Sequence, residues 1–260
     1  MQNLLIITGS NGGIGKEIVN TYLEDNFIVI GMDIINTILD SQIDKQSHKN
    51  FFYIDTDLYQ YANDELYRYE ISKNIRTIFP ESIERFVIIN NAAQQILNPV
   101  DKISVKDFEK TLSVNTFAPF FLVQTFLKDL KKYNSHVVNI SSIHAKLTKS
   151  NFLCYAASKA SLESITRSLA IELASYNISF NTVSPAAIYT HMLESSFMRN
   201  MKKIKELEGY HPSKSIGKPK DLALLIKMIT DQKSSFLNGS NIEFNGGIGS
   251  ILHDPDPWNV

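Results

Sequence analysis

Leu4-Leu-Ile-Ile-Thr8-Gly9-Ser10-Asn11-Gly12-Gly13-Ile14-Gly15-Lys16-Glu17-Ile18-Val19 decides the architecture of this chain. Its opening apolar run is unbroken, as expected of a strand covered on both faces; a half-exposed strand would alternate. Four glycines, Gly9, Gly12, Gly13 and Gly15, then lead directly into a segment of helical period. Without Cβ atoms, such a turn brings backbone N–H groups close to an anion at the positive end of the following helix. Glycine clusters are common in turns. Placed between a strand and a helix at the head of a βαβ unit, this one has the form of a pyrophosphate cradle.

Outward from that unit, short apolar runs alternate with longer helix-period segments. Strands are expected at Leu4–Thr8, Phe27–Met32, Phe51–Ile54, Arg85–Asn90, His136–Ile140, Ser179–Val183 and Asn241–Phe244. Helices are expected near Gly13–Glu24, Asp64–Ile78, Val105–Lys131, Tyr155–Tyr176 and Pro219–Thr230. This alternation predicts an α/β fold: one Rossmann-like, doubly wound parallel sheet of about seven strands, with helices on both faces. At 260 residues, with no internal repeat or linker, residues 1–260 are expected to form a single dinucleotide-binding and catalytic domain. The least regular stretch, 186–217, has a helical middle at Met192–Glu208 and is expected to be a substrate lid. The tail at about 248–260, with Pro255 and Pro257, is expected to be extended, its Trp258 packed on the body or on another subunit.

A formal net charge of −1 gives no reason to expect nucleic acid or an anionic membrane as partner. No run approaches the ~18 apolar residues that span a bilayer. The start lacks the basic n-region of a signal peptide, and one cysteine, Cys154, excludes an intrachain disulfide. A cytoplasmic location is expected, with Cys154 a small apolar neighbour of Tyr155 rather than a reactive thiol. No cluster suggests a metal.

The second strand ends Ile30-Gly31-Met32-Asp33, 18 residues beyond Gly15. An acid there accepts hydrogen bonds from ribose hydroxyls and repels a 2′-phosphate. No Arg or Lys occupies Ser10, Asn11 or Gly12 to attract that phosphate. NAD is therefore favoured over NADP.

In Tyr155-Ala-Ala-Ser-Lys159 the i, i+4 spacing puts phenol and ammonium on one helix face. Free tyrosine titrates near ~10 and is a poor base at neutral pH. A nearby cation favours phenolate and makes the hydroxyl a usable general acid or base. The strand ending Ile140-Ser141-Ser142 delivers a further hydroxyl 13 residues before Tyr155.

Taken together, the glycine turn, Ser142 and the Tyr155/Lys159 pair resemble the short-chain dehydrogenase/reductase family, from Thr8 to about Gly247. The resemblance implies that Tyr155 is the proton donor, that Ser142 rather than Ser141 polarises the substrate oxygen, and that Lys159 also binds the nicotinamide ribose. Asn115, in Ser113-Val-Asn115, looks like the asparagine of the family's water relay. By the same resemblance Gly9, Asn11, Gly13, Ile14, Gly15 and Asp33 contact the cofactor. Asp57 and Leu58 look like the adenine-contacting pair, with Asp55 a near competitor. Asn91 and Ala92, in Asn90-Asn91-Ala92-Ala93, look like the segment lining the adenosine ribose. Pro185, Ile188 and Thr190 resemble the stretch that holds the carboxamide and so presents the pro-S hydride face. Ala93 and Ala186 stand where the family pattern has glycine. A methyl at 93 narrows the ribose space, and alanine at 186 cannot take positive φ cheaply.

The resemblance implies interconversion of a secondary alcohol and a ketone by hydride transfer. It leaves the small-molecule substrate open. Ser142, Tyr155, His144 and Gln94 are the expected substrate contacts, and the polar His144, Gln94, Gln95 and His191 hint at a sugar derivative or polyol. Phe152, Phe197 and Met198 would equally suit an apolar substrate. Alternatives are a 3-oxoacyl-[acyl-carrier-protein] reductase-like enzyme using NADPH, which Asp33 opposes, and a catalytically silent NAD-binding regulator. Phe117, Phe120, Phe121, Phe126, Leu162, Ile165 and Leu169 put apolar residues on several sides of the two long helices. In related enzymes such helices form a four-helix interface, so a homodimer or homotetramer is expected.

Overall fold

Side chains alternate between two apolar layers along the first strand, and that alternation organises the molecule. The computed structural model describes residues 1–34, 49–197 and 200–252. The strands are β1 (Gln2–Thr8), β2 (Ile28–Asp33), β3 (Phe51–Asp55), β4 (Ile83–Asn90), β5 (Asn134–Ile140), β6 (Ile178–Pro185) and β7 (Asn241–Phe244). They form one seven-stranded sheet in the order β3-β2-β1-β4-β5-β6-β7, every pairing parallel. The helices are α1 (Gly13–Glu24), α2 (Leu58–Asn63), α3 (Glu65–Arg76), α4 (Val105–Leu112), α5 (Ala118–Thr125), α6 (Leu127–Leu130), α7 (Leu153–Glu172), α8 (His191–Ser196), α9 (Met201–Tyr210) and α10 (Pro219–Thr230).

Leu4, Ile6, Ile30, Ile88, Val137 and Phe180 face one core, filled by Tyr61, Ile75, Leu122 and Phe126. Leu5, Ile7, Val29, Val87 and Val138 face the other, filled by Ile18, Tyr22, Leu222 and Ile226. Burying each such side chain stabilises the fold by roughly 1.5–3 kcal/mol. The expected doubly wound sheet is therefore the observed one.

Several boundaries differ from expectation, each for a local reason. The helix expected over Val105–Lys131 is interrupted by a π-turn at Ser113–Phe117, where the Ala118 N–H bonds the Ser113 carbonyl. Pro119 has no N–H to give the Asn115 carbonyl, and its ring crowds that carbonyl, so the helix widens there. The helix expected from Asp64 is preceded by α2, whose N-cap is Asp57, and Asp64 then caps α3. The helical middle of 186–217 is two helices, with Asn200 capping the second. Its ends are tied together: Ile188 pairs with Gly217, and the Tyr189 N–H donates to the Gly217 carbonyl at 2.8 Å. Met198 and the tail from His253 with Trp258 lie outside the described residues.

Among the described residues no helix is long and apolar enough to cross a membrane, and no group of acids, histidines and cysteine is placed to hold a metal ion.

Candidate active site

The strand order reverses between β1 and β4, the switch point at whose carboxyl ends doubly wound sheets take their ligands. The glycine turn sits there. Gly9 has φ +69, and an added Cβ would lie 2.8 Å from Ala92 Cα. At Gly15 a Cβ would lie 2.0 Å from the Gly9 carbonyl oxygen, so only glycine closes this turn. Thr8 Oγ1 accepts the N–H groups of Asn91 and Ala92, both at 3.1 Å. Asn91 Nδ2 donates to the carbonyls of Thr8 and Gly9 at 3.2 and 3.0 Å.

Helix α1 begins at Gly12 with no side chain capping it. The first-turn amides of Gly13, Ile14 and Gly15 have no partner within the helix by geometry, so they fit a phosphate. Thr190 Cγ2 would be 3.1 Å from a Cβ at Gly13, which sets the segment after β6 against the turn.

Asp33 closes the other end. Its Oδ2 accepts the Asn11 N–H at 2.8 Å and its Oδ1 accepts the Ile34 N–H at 2.8 Å. Tyr53 donates its hydroxyl to the Asp33 carbonyl at 2.7 Å. Asp57 spends Oδ1 on the Tyr59 and Gln60 amides that begin α2, and Leu58 packs in the core. Pro185 ends β6, and Ile188 is buried in the α1 core layer. The two substituted glycines carry no backbone strain: neither Ala93 nor Ala186 has positive φ. The Ala186 N–H donates to the Phe244 carbonyl at 3.0 Å.

Tyr155 and Lys159 share one face of α7, beside the end of β5. The Ser142 hydroxyl lies near enough to act on the Tyr155 phenol, and it accepts the His144 N–H at 3.2 Å. Lys159 is almost wholly buried; its Nζ lies 5.6 Å from the Tyr155 ring centroid. That places the expected cation near the phenol, and the ammonium donates to the Ile140 carbonyl at 2.7 Å, a buried acceptor at the strand end. Burial pushes the Tyr155 phenol above its ordinary value, while the neighbouring Ser142 hydroxyl pulls it down. Burial brings Lys159 down to about 8, against the pull of Glu163.

Asn115 lies fully buried in the π-turn with its side chain committed. Oδ1 accepts the Gln94 N–H at 2.7 Å, and Nδ2 donates to the Gln94 carbonyl and to Ser158 Oγ, both at 2.9 Å. Gln94 thus meets the site through its backbone.

His144 stacks on Phe152 with centroids 4.3 Å apart and meets Tyr155 edge-on at 5.9 Å. Burial, with Lys149 adding to it, lowers His144 to about 4, so the ring is neutral at pH 7. Cys154 is buried and its thiol is pushed up by that burial, which makes it inert.

Glu163, which sequence reasoning passed over, lies one turn beyond Lys159 at the same i, i+4 spacing and is buried. The periodic placement of an acid on the inward face was the signal; its partners lie far away in sequence.

A family model described as short chain dehydrogenase matches residues 3–200. The chain belongs to the short-chain dehydrogenase family, whose members are oxidoreductases that bind NAD(P). It is 28% identical over 246 residues to the 3-oxoacyl-[acyl-carrier-protein] reductase FabG of Buchnera aphidicola, covering 94% of this chain and 96% of that protein. It is 26% identical over 250 residues to the glucose and ribitol dehydrogenase of Daucus carota, covering 93% and 83%. Among solved structures, ElxO with NADP bound superposes with a TM-score of 0.83 at 24% identity, covering 95% of this chain and 99% of the other.

Proposed function

We propose that this chain interconverts a secondary alcohol and a ketone with NAD(H), Tyr155 exchanging a proton with the substrate oxygen. The observation that carries this is the placement of Ser142, at the end of β5, beside Tyr155 on α7, its hydroxyl acting on the phenol, with buried Lys159 one turn away. Two neighbouring hydroxyls can both reach one substrate oxygen; Ser142 polarises it and Tyr155 donates or accepts the proton. The nicotinamide, when bound, supplies or accepts the hydride. Lys159 holds a positive charge beside the phenol, which favours phenolate. Asn115 has no free side-chain group, so a relay through this residue uses its backbone carbonyl, which Pro119 leaves without a helical donor.

Gly9, Asn11, Gly13, Ile14 and Gly15 would cradle the pyrophosphate, and Asp33 the adenosine ribose. Asn91 and Ala92 would line that ribose, with Asp57 and Leu58 near the adenine. Pro185, Ile188 and Thr190 would hold the carboxamide, and residues 186–217 would cover the substrate. Asp33 supports NAD over NADP, since its charge over the turn repels a 2′-phosphate. The neutral His144 beside Tyr155 supports a hydroxylated substrate, and the likeness to a glucose and ribitol dehydrogenase favours a polyol or sugar derivative. A second reading, an NADPH-dependent 3-oxoacyl reductase, draws on the likeness to FabG. Exposed Val105 and Phe117, on a groove of about 760 Å³ also lined by Tyr59, Phe108 and Leu112, support a homodimer or homotetramer, and the single cysteine fits the reducing cytoplasm.

An NAD-reduction screen across alcohols, polyols and sugars, run with NADP in parallel, tests the reading. A Tyr155→Phe chain that binds NADH normally and still turns over at the wild-type rate would refute the proton-transfer role. Equal or better use of NADP would overturn the cofactor assignment.

A further inference from the structure

Three strand ends converge on one carboxylate. Glu163 Oε1 accepts the Ser141 hydroxyl of the β5 end at 2.8 Å, the Ser184 hydroxyl of β6 at 2.8 Å and the Asn241 Nδ2 of β7 at 3.1 Å. The Ser184 hydroxyl shares its one proton between Glu163 Oε1 and Asn241 Oδ1, the latter at 2.7 Å, and Thr182 donates to Asn241 Oδ1 at 3.0 Å, which locks β6 and β7 together. Ser141 precedes Ser142, Ser184 precedes Pro185, and Glu163 follows Lys159 by one turn of α7. A single buried side chain thus ties the helix of Tyr155 and Lys159 to the strand that carries Ser142 and to the segment that leads to Thr190.

We infer that Glu163 is a positioning residue for Lys159: it clamps β5, β6 and β7 to α7 and sets a carboxylate one turn from the ammonium. This rests on the proposed role of Tyr155 and Lys159 in proton transfer. Burial costs a lone ammonium dearly, and Lys159 has one backbone acceptor, the Ile140 carbonyl. Glu163 is the charge acting on Lys159, in the direction that keeps it protonated. The other charges nearby are Lys146, ion-paired with Glu243 of β7 at 2.7 Å, and Arg167, one turn beyond Glu163. Neither β5 nor β6 brings a charged residue to the cluster.

The decisive variants are Glu163→Gln, which keeps shape and removes charge, and Glu163→Asp, which keeps charge and shortens reach. The first readout needs no turnover: the titration of Lys159 followed by NMR of ¹⁵Nζ-labelled lysine, assigned by its loss in Lys159→Arg. Glu163→Gln is expected to move that titration to lower pH by about half a unit to one unit. Glu163→Asp is expected to hold it near the wild-type position while lowering the melting temperature. The second readout is kcat/KM against pH, whose limb should move acid-ward with the lysine in Glu163→Gln. A Lys159 titration unmoved in Glu163→Gln, or moved equally in both variants in step with melting temperature, overturns the inference. A lysine titration that shifts without any change in the kcat/KM profile upholds the placement of Glu163 and instead defeats the proton-transfer role of Lys159.

Discussion

The Asp33 carboxylate accepts the backbone N–H of Asn11 at 2.8 Å, which suspends a negative charge over the glycine turn. The same carboxylate takes the Ile34 N–H, so its orientation is fixed from two sides. Asp33→Ser is expected to reduce the preference for NADH over NADPH by about 10- to 100-fold, because hydrogen bonds to a charged group contribute ~1.5–3 kcal/mol. Steady-state kcat/KM with each cofactor measures it; an unchanged ratio would remove Asp33 from cofactor selection.

Gly15 faces the Gly9 carbonyl so closely that a methyl group has no space. Gly15→Ala should force the turn open at a cost of ~1–3 kcal/mol. Loss of NADH binding by at least about tenfold is expected, with a melting temperature lower by roughly 2–10 °C. Fluorescence titration with NADH and thermal unfolding report the two effects separately.

Pro119 is the chemical reason for the π-turn that carries Asn115. Pro119→Ala returns an N–H to the Asn115 carbonyl and favours a regular helix, which slides Asn115 away from Gln94 and Ser158. Turnover should fall by about tenfold or more while the melting temperature holds or rises, a combination that general damage does not produce. A turnover equal to wild type would show that the widened turn is irrelevant to catalysis.

His136 is buried on β5 with Nδ1 bonded to Ser179 Oγ at 2.8 Å, and burial lowers it from 6.5 to about 4. Above pH 6.5 both folded and unfolded chains keep it neutral. Between 6.5 and about 4 the unfolded chain binds a proton that the folded chain refuses, so stability falls as pH falls through that window. The loss amounts to at most about 3 kcal/mol. Urea unfolding from pH 7 to 4.5 should show this slope in the wild type and a shallower one in His136→Gln.

Much of this was legible because local signals agree with the global pattern. Gly13–Glu24, Pro219–Thr230 and Asn241–Phe244 are bounded in the structure as the sequence predicts, the first marked by its glycine turn, the second by its proline start and the third by the alternation of Ile242 and Phe244 with polar residues. The six-residue α2 escaped because one and a half turns carry no amphipathic period; its only mark was Asp57 as a cap. The π-turn escaped because Pro119 sits inside strongly apolar helical sequence, where it was absorbed into a longer helix. At the candidate site, spacing brings Tyr155 and Lys159 together but cannot say where the ammonium donates, since the Ile140 carbonyl is a backbone group common to every residue. Of the apolar residues on several sides of the two long helices, Phe126 and Leu162 are buried in the chain's own interior, and among Phe117, Phe120, Phe121 and Phe126 only Phe117 is left exposed. Helical period gives a face; which neighbour covers it is decided by β-strands distant in sequence.

The ties from Asn91 to Thr8 and Gly9 mean that the phosphate turn stands finished before anything enters it. Association then loses little conformational entropy in that loop, so the heat and heat capacity of NADH binding should reflect buried area and the tied segment after β6 rather than coil-to-order conversion. Cutting the tie with Asn91→Ala would shift that balance: the same contacts in the complex, reached at a larger entropic loss.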